Sequence, residues 1–402
     1  MISKKQTIII VIIAVILSST LSLAINDYWQ VYQGDKVTIS REDYQWLVST
    51  SKLAEVKKTI ESQFALPYDE SKLMDGAVKG LVAALEDPYS QYFDKDEYKE
   101  FMEHTTGKYA GVGLLVTVNP DDNLIEVVNA FKDGPAAKAG IKPGDKVVKV
   151  DGQDVDGSSL DKAVAMMKGD KGTKVKVTIL REGSAQLLEF ELVRDIINIQ
   201  TIEYSMMDDG IGYIRLTTFD QGSVKEFDAA LNALSKQGMK GLIFDLRDNP
   251  GGLLDVAVEI ADRLMPKGLI VYTMDKNGEK QSWSSDANKI DVPLVILVNE
   301  NSASASEVVS GAVQDSGSGT LVGTKTFGKG IVQSIRDFKD GSALKLTTSK
   351  YYTPKGRNIH GTGIQPDVVV EMPEGYQSSL QIKPEDDTQL QKAVEVLKSK
   401  IK

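Results

Sequence analysis

Read for the period of its apolar positions, the chain changes texture several times. After Lys4 and Lys5 an apolar run extends from Ile8 to Leu17 and continues more weakly to Ile25. Counted from Thr7 the stretch would make about 29 Å of helix, enough to cross a bilayer. Its strongly apolar part is short enough to fit the h-region of a signal peptide, and Ser22-Leu23-Ala24 offers a small-x-small cleavage site. Both readings, a retained membrane anchor or a cleaved signal over residues 1–25, place the body of the protein outside the cytoplasm. From Thr38 to about Glu103 the pattern is helical. Leu73, Ala77, Leu81, Ala84 and Leu85 recur at three- and four-residue steps, Asp69 or Ser71 is placed to cap, and Asp87-Pro88 stops the helix.

From Lys108 to about Arg194 short β runs alternate with glycines, as in Gly111–Val116, Leu124–Val128 and Val175–Ile179, with helical interruptions at Pro135–Ala139 and Leu160–Met167. From Ile211 to about Val370 strands and helices alternate, which predicts an α/β layer architecture. Gly241–Leu246 and Leu294–Val298 read as buried strands, followed by helices over Leu254–Leu264 and Ala303–Gln314. Near the end Leu390, Ala393, Val394 and Leu397 form one face of a charged helix. The expectation is a multidomain α+β chain: 26–105 helical, 106–194 small and β-rich, 195–373 an α/β core, and 374–402 a tail with an amphipathic helix. No internal repeat or low-complexity tract interrupts it.

Composition narrows the chemistry. The 402 residues carry 57 acidic against 47 basic side chains, a formal charge of -10, which argues against a nucleic-acid partner. Cysteine is absent, so disulfides, thiolate metal sites and thiol nucleophiles are excluded. Only two histidines occur, His104 and His360, so a site built on several imidazoles is excluded and no metal is expected. A Ser-His-Asp triad has at most these two candidates for its base, so acid–base work is expected of other groups.

Ser302-Ala303-Ser304-Ala305-Ser306-Glu307 lies between a buried strand and a helix, where a serine is exposed beside free backbone N–H groups and the positive helix end. That is the logic of a nucleophile elbow without the G-x-S-x-G sequence; three serines capping a helix is the plainer alternative. Gly323 to Lys329 fits G-x-x-x-x-G-K, yet a phosphate loop needs Ser or Thr next and then a helix, and Gly330-Ile331-Val332 follows. Lys329, between glycines and beside Phe327, would be partly desolvated, and burial makes a lysine a workable general base. With histidine scarce, a Ser–Lys dyad is the natural alternative to a triad. Gln333 would neighbour Lys329 in a helical turn, but would sit about 13 Å from it in an extended strand. Pro250-Gly251-Gly252, after a buried strand, can bring backbone N–H groups to a substrate, although an ordinary turn reads equally well.

Together these segments resemble the carboxyl-terminal processing peptidases, or tail-specific proteases. The resemblance rests on Ser-Ala-Ser-Ala-Ser-Glu at 302–307, Thr-Phe-Gly-Lys-Gly at 326–330 with Gln333, and Arg-x-Asn-Pro-Gly-Gly at 247–252. Asp87-Pro88-Tyr89-Ser90 and the Tyr352-Thr353-Pro354 region extend it, in the family's order. Gly111-Val112-Gly113-Leu114 and Gly134-Pro135-Ala136-Ala137 resemble a PDZ domain.

The resemblance implies a serine endopeptidase without cofactor, with Ser304 as nucleophile, Lys329 as general base and Gln333 orienting it. Ser302 and Ser306 would then be helix caps. The oxyanion hole would combine N–H groups of Gly251 or Gly252 with that of Ala305. Gly111, Val112, Gly113 and Leu114 would take the terminal carboxylate of a protein or peptide substrate with a free, apolar C-terminus. Lys168 stands where the family often has an arginine that couples peptide binding to the active site; it keeps the charge but loses the bidentate fork. A homodimer built by the terminal helices is also implied. The rival from another class is a non-catalytic, membrane-tethered PDZ scaffold.

Overall fold

The computed structural model describes residues 4–32, 39–286, 288–372, 375–376, 378–379 and 382–401. Thr38 and residues 373 and 374, used above as boundaries, lie outside them. The chain forms two compact units divided between Leu73 and Met74.

The first unit contains α1 (Lys4–Tyr32) and α2 (Arg41–Gln63), and α3 (Glu70–Ala83) begins in it. Ser40 caps α2, accepting from the Asp43 N–H. No residue of α2 is buried, and Trp46, Leu47, Val48 and Val56 are exposed. Among the described residues no helix is long and apolar enough to cross a membrane. The expected span counts Thr7, Ile8 and Ala24, whose side chains lie outside the described set.

The second unit opens with β1 (Gln91–Phe93) and α4 (Lys95–Thr106). Asp94 and Glu97 form a reciprocal capping box at the start of α4, and Gly107 ends it in the left-handed conformation. Then β2 (Lys108–Gly111) leads into a β-rich body and β9 (Asp195–Asn198) leads out, the two pairing antiparallel. Between them lie β3 (Leu114–Val118), β4 (Ile125–Ala130), α5 (Pro135–Ala139), β5 (Lys146–Val150), β6 (Gln153–Asp154), α6 (Leu160–Met167), β7 (Lys174–Leu180) and β8 (Leu188–Val193). The strands make one sheet in the order β3-β4-β5-β7-β8, with β6 on β5. Val127, Val147, Val177 and Ile179 face Ala136 and Ala163 in its core.

The remainder is layered. β10 (Ile202–Met206), β11 (Ile211–Leu216), β12 (Gly241–Asp245), β15 (Leu294–Val298), β16 (Thr320–Gly323) and β19 (Val368–Val369) form one sheet, parallel from β11 onward. Period-two alternation sends its apolar residues to opposite faces. Leu242, Phe244, Ile296 and Val298 pack under α7 (Ser223–Lys236), α8 (Leu254–Leu264) and α9 (Ala305–Ser316). Ile243, Val295 and Leu297 meet Leu390, Ala393 and Leu397 of α10 (Thr388–Lys398). A second sheet combines β1 with β13 (Gly268–Asp275), β14 (Lys280–Ser285), β17 (Ile331–Asp337) and β18 (Ala343–Tyr352). After Lys329 comes β17, not a helix, which removes the phosphate-loop reading.

Candidate active site

Three loops leaving adjacent parallel strands of the layered core converge at one end of the sheet, where ligands bind in open α/β architectures. The loop after β12 carries Asn249-Pro250-Gly251-Gly252, the one after β15 carries Ser304, and the one after β16 carries Lys329. Ser304, Lys329, Gly251, Gly252, Ala305 and Gln333 all line one cleft of about 350 Å³.

Ser304 is the residue before α9 and holds φ 54, ψ -110, a strained conformation for a side chain with a Cβ. Its neighbours over-determine that geometry. Glu307, fully buried, accepts the Ser304 N–H at 2.9 Å. The Ser304 carbonyl accepts from the Glu307 N–H at 2.9 Å, the Val308 N–H at 3.0 Å and the Tyr351 hydroxyl at 3.0 Å. In a trans peptide the carbonyl and the following N–H point oppositely, so fixing this carbonyl aims the Ala305 N–H. Burial raises the Tyr351 hydroxyl well above its ordinary range, so it stays a donor. Ser302 and Ser306 are not the expected caps. Both hydroxyls donate to the loop after β12, Ser302 to Leu246 O at 2.8 Å and Ser306 to Asn249 O at 2.9 Å.

Glu307 also holds the lysine loop. It accepts the Thr326 hydroxyl at 2.6 Å and the N–H groups of Gly328 and Lys329 at 2.8 Å each. One carboxylate thus spans the serine and lysine segments. Burial pushes its acidity down, raising its pKa despite those donors. Sequence reading assigned it no role, although Ser304-x-x-Glu307 has the spacing of a capping box.

Lys329 is half-buried, and its Nζ lies over the Tyr89 ring, 4.8 Å from the centroid. Its pKa is lowered from the usual lysine range, first by burial and then by Lys345, against the pull of Asp87 and Glu307. Among the described residues no hydrogen bond joins Lys329 Nζ to Ser304 or Gln333. The turn that Gln333 needs is not formed. It sits in β17 beside a bulge, and its Nε2 donates to Thr347 Oγ1 at 3.2 Å. It is a wall of the cleft, with no hydrogen bond to the lysine among the described residues.

The two glycines separate. The Gly251 N–H is committed to Asn249 Oδ1 at 2.8 Å, whereas those of Gly252 and Ala305 find no acceptor among the described residues. An oxyanion hole on this backbone is therefore Gly252 with Ala305. Gly252 has φ 147, and a Cβ there would stand 2.2 Å from Phe219 O.

In the β-rich body, Val112, Gly113, Leu114, Leu115, Val164 and Met167 line an apolar groove between β3 and α6. The carbonyls of Val112 and Gly113 accept from Ala136 and Phe131, and the Gly113 N–H finds no acceptor among the described residues. Gly111 bridges to Lys168. Lys168 Nζ pairs with Glu103 of α4 at 2.7 Å and lies 5.4 Å from the Tyr109 ring centroid. Arg194, not Lys168, holds the last carbonyls of α6, at Met166 and Met167. His104, to which no role was assigned, lines both the groove and the catalytic cleft.

A strained serine at a strand-to-helix junction, free backbone donors beside it and a desolvated lysine in the same cleft define a serine peptidase. Residues 210–370 match the family model of peptidase family S41, 126–181 that of a PDZ domain, and 22–97 that of the activating protease CtpB N-terminal domain. The chain is 39% identical over 325 residues to the carboxy-terminal processing protease CtpA of Bacillus subtilis, covering 80% of this chain and 69% of that one. It is 40% identical over 326 residues to the carboxyl-terminal-processing protease of Synechocystis, covering 80% and 76%. An S41-type protein of Bacteroides fragilis shares the fold, with TM-score 0.51, 16% identity and coverage of 84% and 92%. The chain belongs to the carboxyl-terminal processing proteases, serine peptidases of family S41 that carry a PDZ domain. That membership sets the non-catalytic scaffold aside.

Proposed function

We propose that this protein is an extracytoplasmic endopeptidase that takes the apolar C-terminal tail of a protein substrate in its PDZ groove and cleaves the chain with Ser304 and Lys329. The observation that carries the reading is the Glu307 carboxylate, which holds the N–H groups of Ser304 and Lys329 at 2.9 and 2.8 Å and so registers nucleophile and base to one point. The free N–H group of Gly113 supports carboxylate capture, with the tail adding to β3 as a strand. Lys4 and Lys5 ahead of Ile8–Leu17 support export of the body, and the exposed apolar residues of α2 support a homodimer.

In the reaction, neutral Lys329 leaves the Tyr89 ring and removes the Ser304 hydroxyl proton as Oγ attacks the peptide carbonyl. The oxyanion is held by the N–H groups of Gly252 and Ala305. Lysine returns the proton to the leaving amine, and water resolves the acyl-enzyme with lysine again as base. Activity rises with pH as Lys329 loses its proton.

The test compares full-length wild type, Ser304→Ala and Lys329→Ala in mild detergent. The substrate is a loosely folded protein with an apolar C-terminus, offered with and without its last few residues. Cleavage that needs Ser304, Lys329 and the free tail is the expected result. Cleavage surviving Ser304→Ala, or indifferent to the tail, refutes the assignment.

A further inference from the structure

The cleft contains a second lysine that the mechanism leaves unused. Lys345 lies in β18, the strand flanked by β1 and β17, paired with Gln91 on one side and Ile335 on the other. This places its backbone in the interior of a sheet, where it cannot drift. Its Nζ lies 5.3 Å from the Phe93 ring centroid and 5.1 Å from that of Phe101. It lines the cleft together with Ser304 and Lys329. Among the described residues no carboxylate comes within ion-pairing distance of it, although Lys57, Lys79, Lys146 and Lys168 all have such partners.

The neighbours of Lys329 are few. Asp87 and Tyr89 face it from the connection between α3 and β1, and Glu307 faces it from α9. Lys345 and Tyr351 come from β18, and exposed His104 comes from α4. The backbone of His360 abuts Gly330. Lys345 is the one other ammonium in the set. Burial lowers the pKa of both lysines, but two aromatic faces and Asp87 favour the charged form of Lys345, whereas Lys329 has a single ring and is lowered further by Lys345 itself. Two like charges in one partly dry cleft cannot both be retained cheaply, so their protonation states separate.

We propose that Lys345 is a positioning residue of the catalytic apparatus, a fixed cation that disfavours a second ammonium at Lys329 and so keeps the base in its proton-accepting form. The inference rests on Lys329 being the base. Its role is exerted through Lys329, as a neighbouring cation activates other lysine bases. Asp87, held by the Ser90 hydroxyl at 2.6 Å and the Tyr89 N–H at 3.1 Å, opposes it on both lysines.

The experiment is the pH profile of kcat/KM for the full-length chain in mild detergent. The substrate is a peptide reporter with an apolar C-terminus and no Asp or Glu. In Lys345→Met the acid limb moves up by roughly one pH unit, the effect of one close like charge, which is about a tenfold loss on the limb and little on the plateau. Lys345→Arg keeps the wild-type limb, and Lys345→Glu moves it further than Met. Lys345→Gln replaces the Met variant if near-UV circular dichroism shows that variant unfolded. A limb that stays put in Met and Glu, or a uniform loss at all pH values, overturns the proposal. So does a change in KM confined to acidic reporters, which would make Lys345 a substrate contact. Lys329→Ala separates the two readings: turnover surviving in it removes the base itself, whereas an inactive Lys329→Ala with an unmoved limb removes only this inference.

Discussion

Replacing Glu307 by glutamine changes almost no volume, yet it attacks the site at its joint. The carboxylate offers two acceptor oxygens to four donors: Thr326 and Gly328 on one, Lys329 and Ser304 on the other. An amide keeps one acceptor. With its oxygen toward Thr326 and Gly328, its NH2 confronts the N–H groups of Ser304 and Lys329, two buried donors against a donor. Each unsatisfied buried group costs about 1–3 kcal/mol, so the pair amounts to about 4 kcal/mol. At about 2–4 °C per kcal/mol for a core of this size, Tm falls by roughly 10 °C. Because both segments shift by a fraction of an ångström, kcat falls about a hundredfold at temperatures where the variant is folded. Thermal denaturation and turnover of a tailed peptide read the two effects. A variant within about 2 °C of wild type in Tm and within about threefold in kcat would refute the claim that this carboxylate registers nucleophile to base.

Tyr351→Phe removes one donor to the Ser304 carbonyl, worth about 1 kcal/mol; kcat should fall roughly fivefold with KM unchanged, and an unaltered kcat would release Tyr351 from the oxyanion geometry. Gly252→Ala drives a Cβ against Phe219 O and displaces one oxyanion donor, so kcat should fall about 10²–10³-fold; single-turnover rates equal to wild type would place the hole elsewhere. Arg247→Ala leaves Asp245 and Asp387 buried beside each other without their guanidinium, costing about 3–5 kcal/mol in urea titration; a cost under about 1 kcal/mol would make the network ornamental. Acid should unfold the core through the same region. Burial alone would raise Asp245 and Asp248, but Arg247 offsets it for the first and donors from Asn301, Asn299, Ser379 and Ser378 for the second, so both titrate low in the fold. Their stabilisation is complete above the unfolded carboxyl value of about 3.9 and drains away as pH falls below it; a stability that declines already between pH 7 and 5 would point to other groups.

How far the chain announces this structure depends on how completely each segment is buried. β12 and β15 are covered on both faces and read as unbroken apolar runs, and α8 begins and ends where its apolar spacing does. The second sheet was not legible beyond Ile331-Val332. β17 is mostly exposed and β18 mostly half-buried, and Lys345, Thr347 and Lys350 break the apolar alternation that would mark a strand. The position of Gln333 was lost with them, since only the strand shows that the turn toward Lys329 is absent. Ser304 and Lys329 were legible as motifs, but what fixes them was not. Glu307 and Tyr351 act on backbone groups, and backbone geometry leaves little trace in residue order. Choosing Gly252 over Gly251 needed the Asn249 side chain, a contact two residues away that no periodicity encodes.

That asparagine shows why a stabilising network and a catalytic loop share the exit of β12. Arg247 and Asp248 face the tail: the guanidinium binds Asp387 and Gln389, and the Asp248 carboxylate accepts from Ser378 and Ser379. Asn249, the next residue, faces the site. Its Nδ2 donates to Leu216 O at 2.8 Å, its Oδ1 takes the Gly251 N–H, and its carbonyl accepts from the Ala303 N–H and the Ser306 hydroxyl. The loop that offers the Gly252 donor is thereby tied to the segment that offers Ser304, with no side chain between them to adjust. A Cβ at Gly251 would stand 2.8 Å from the Ser304 Cβ and 2.9 Å from the Ala305 N, so the two backbones touch directly. Oxyanion donors must be in place before charge develops. Here their placement is inherited from a buried ion network and the tail packed beneath it. Loosening that network should cost catalysis as well as stability, and in kcat more than in KM.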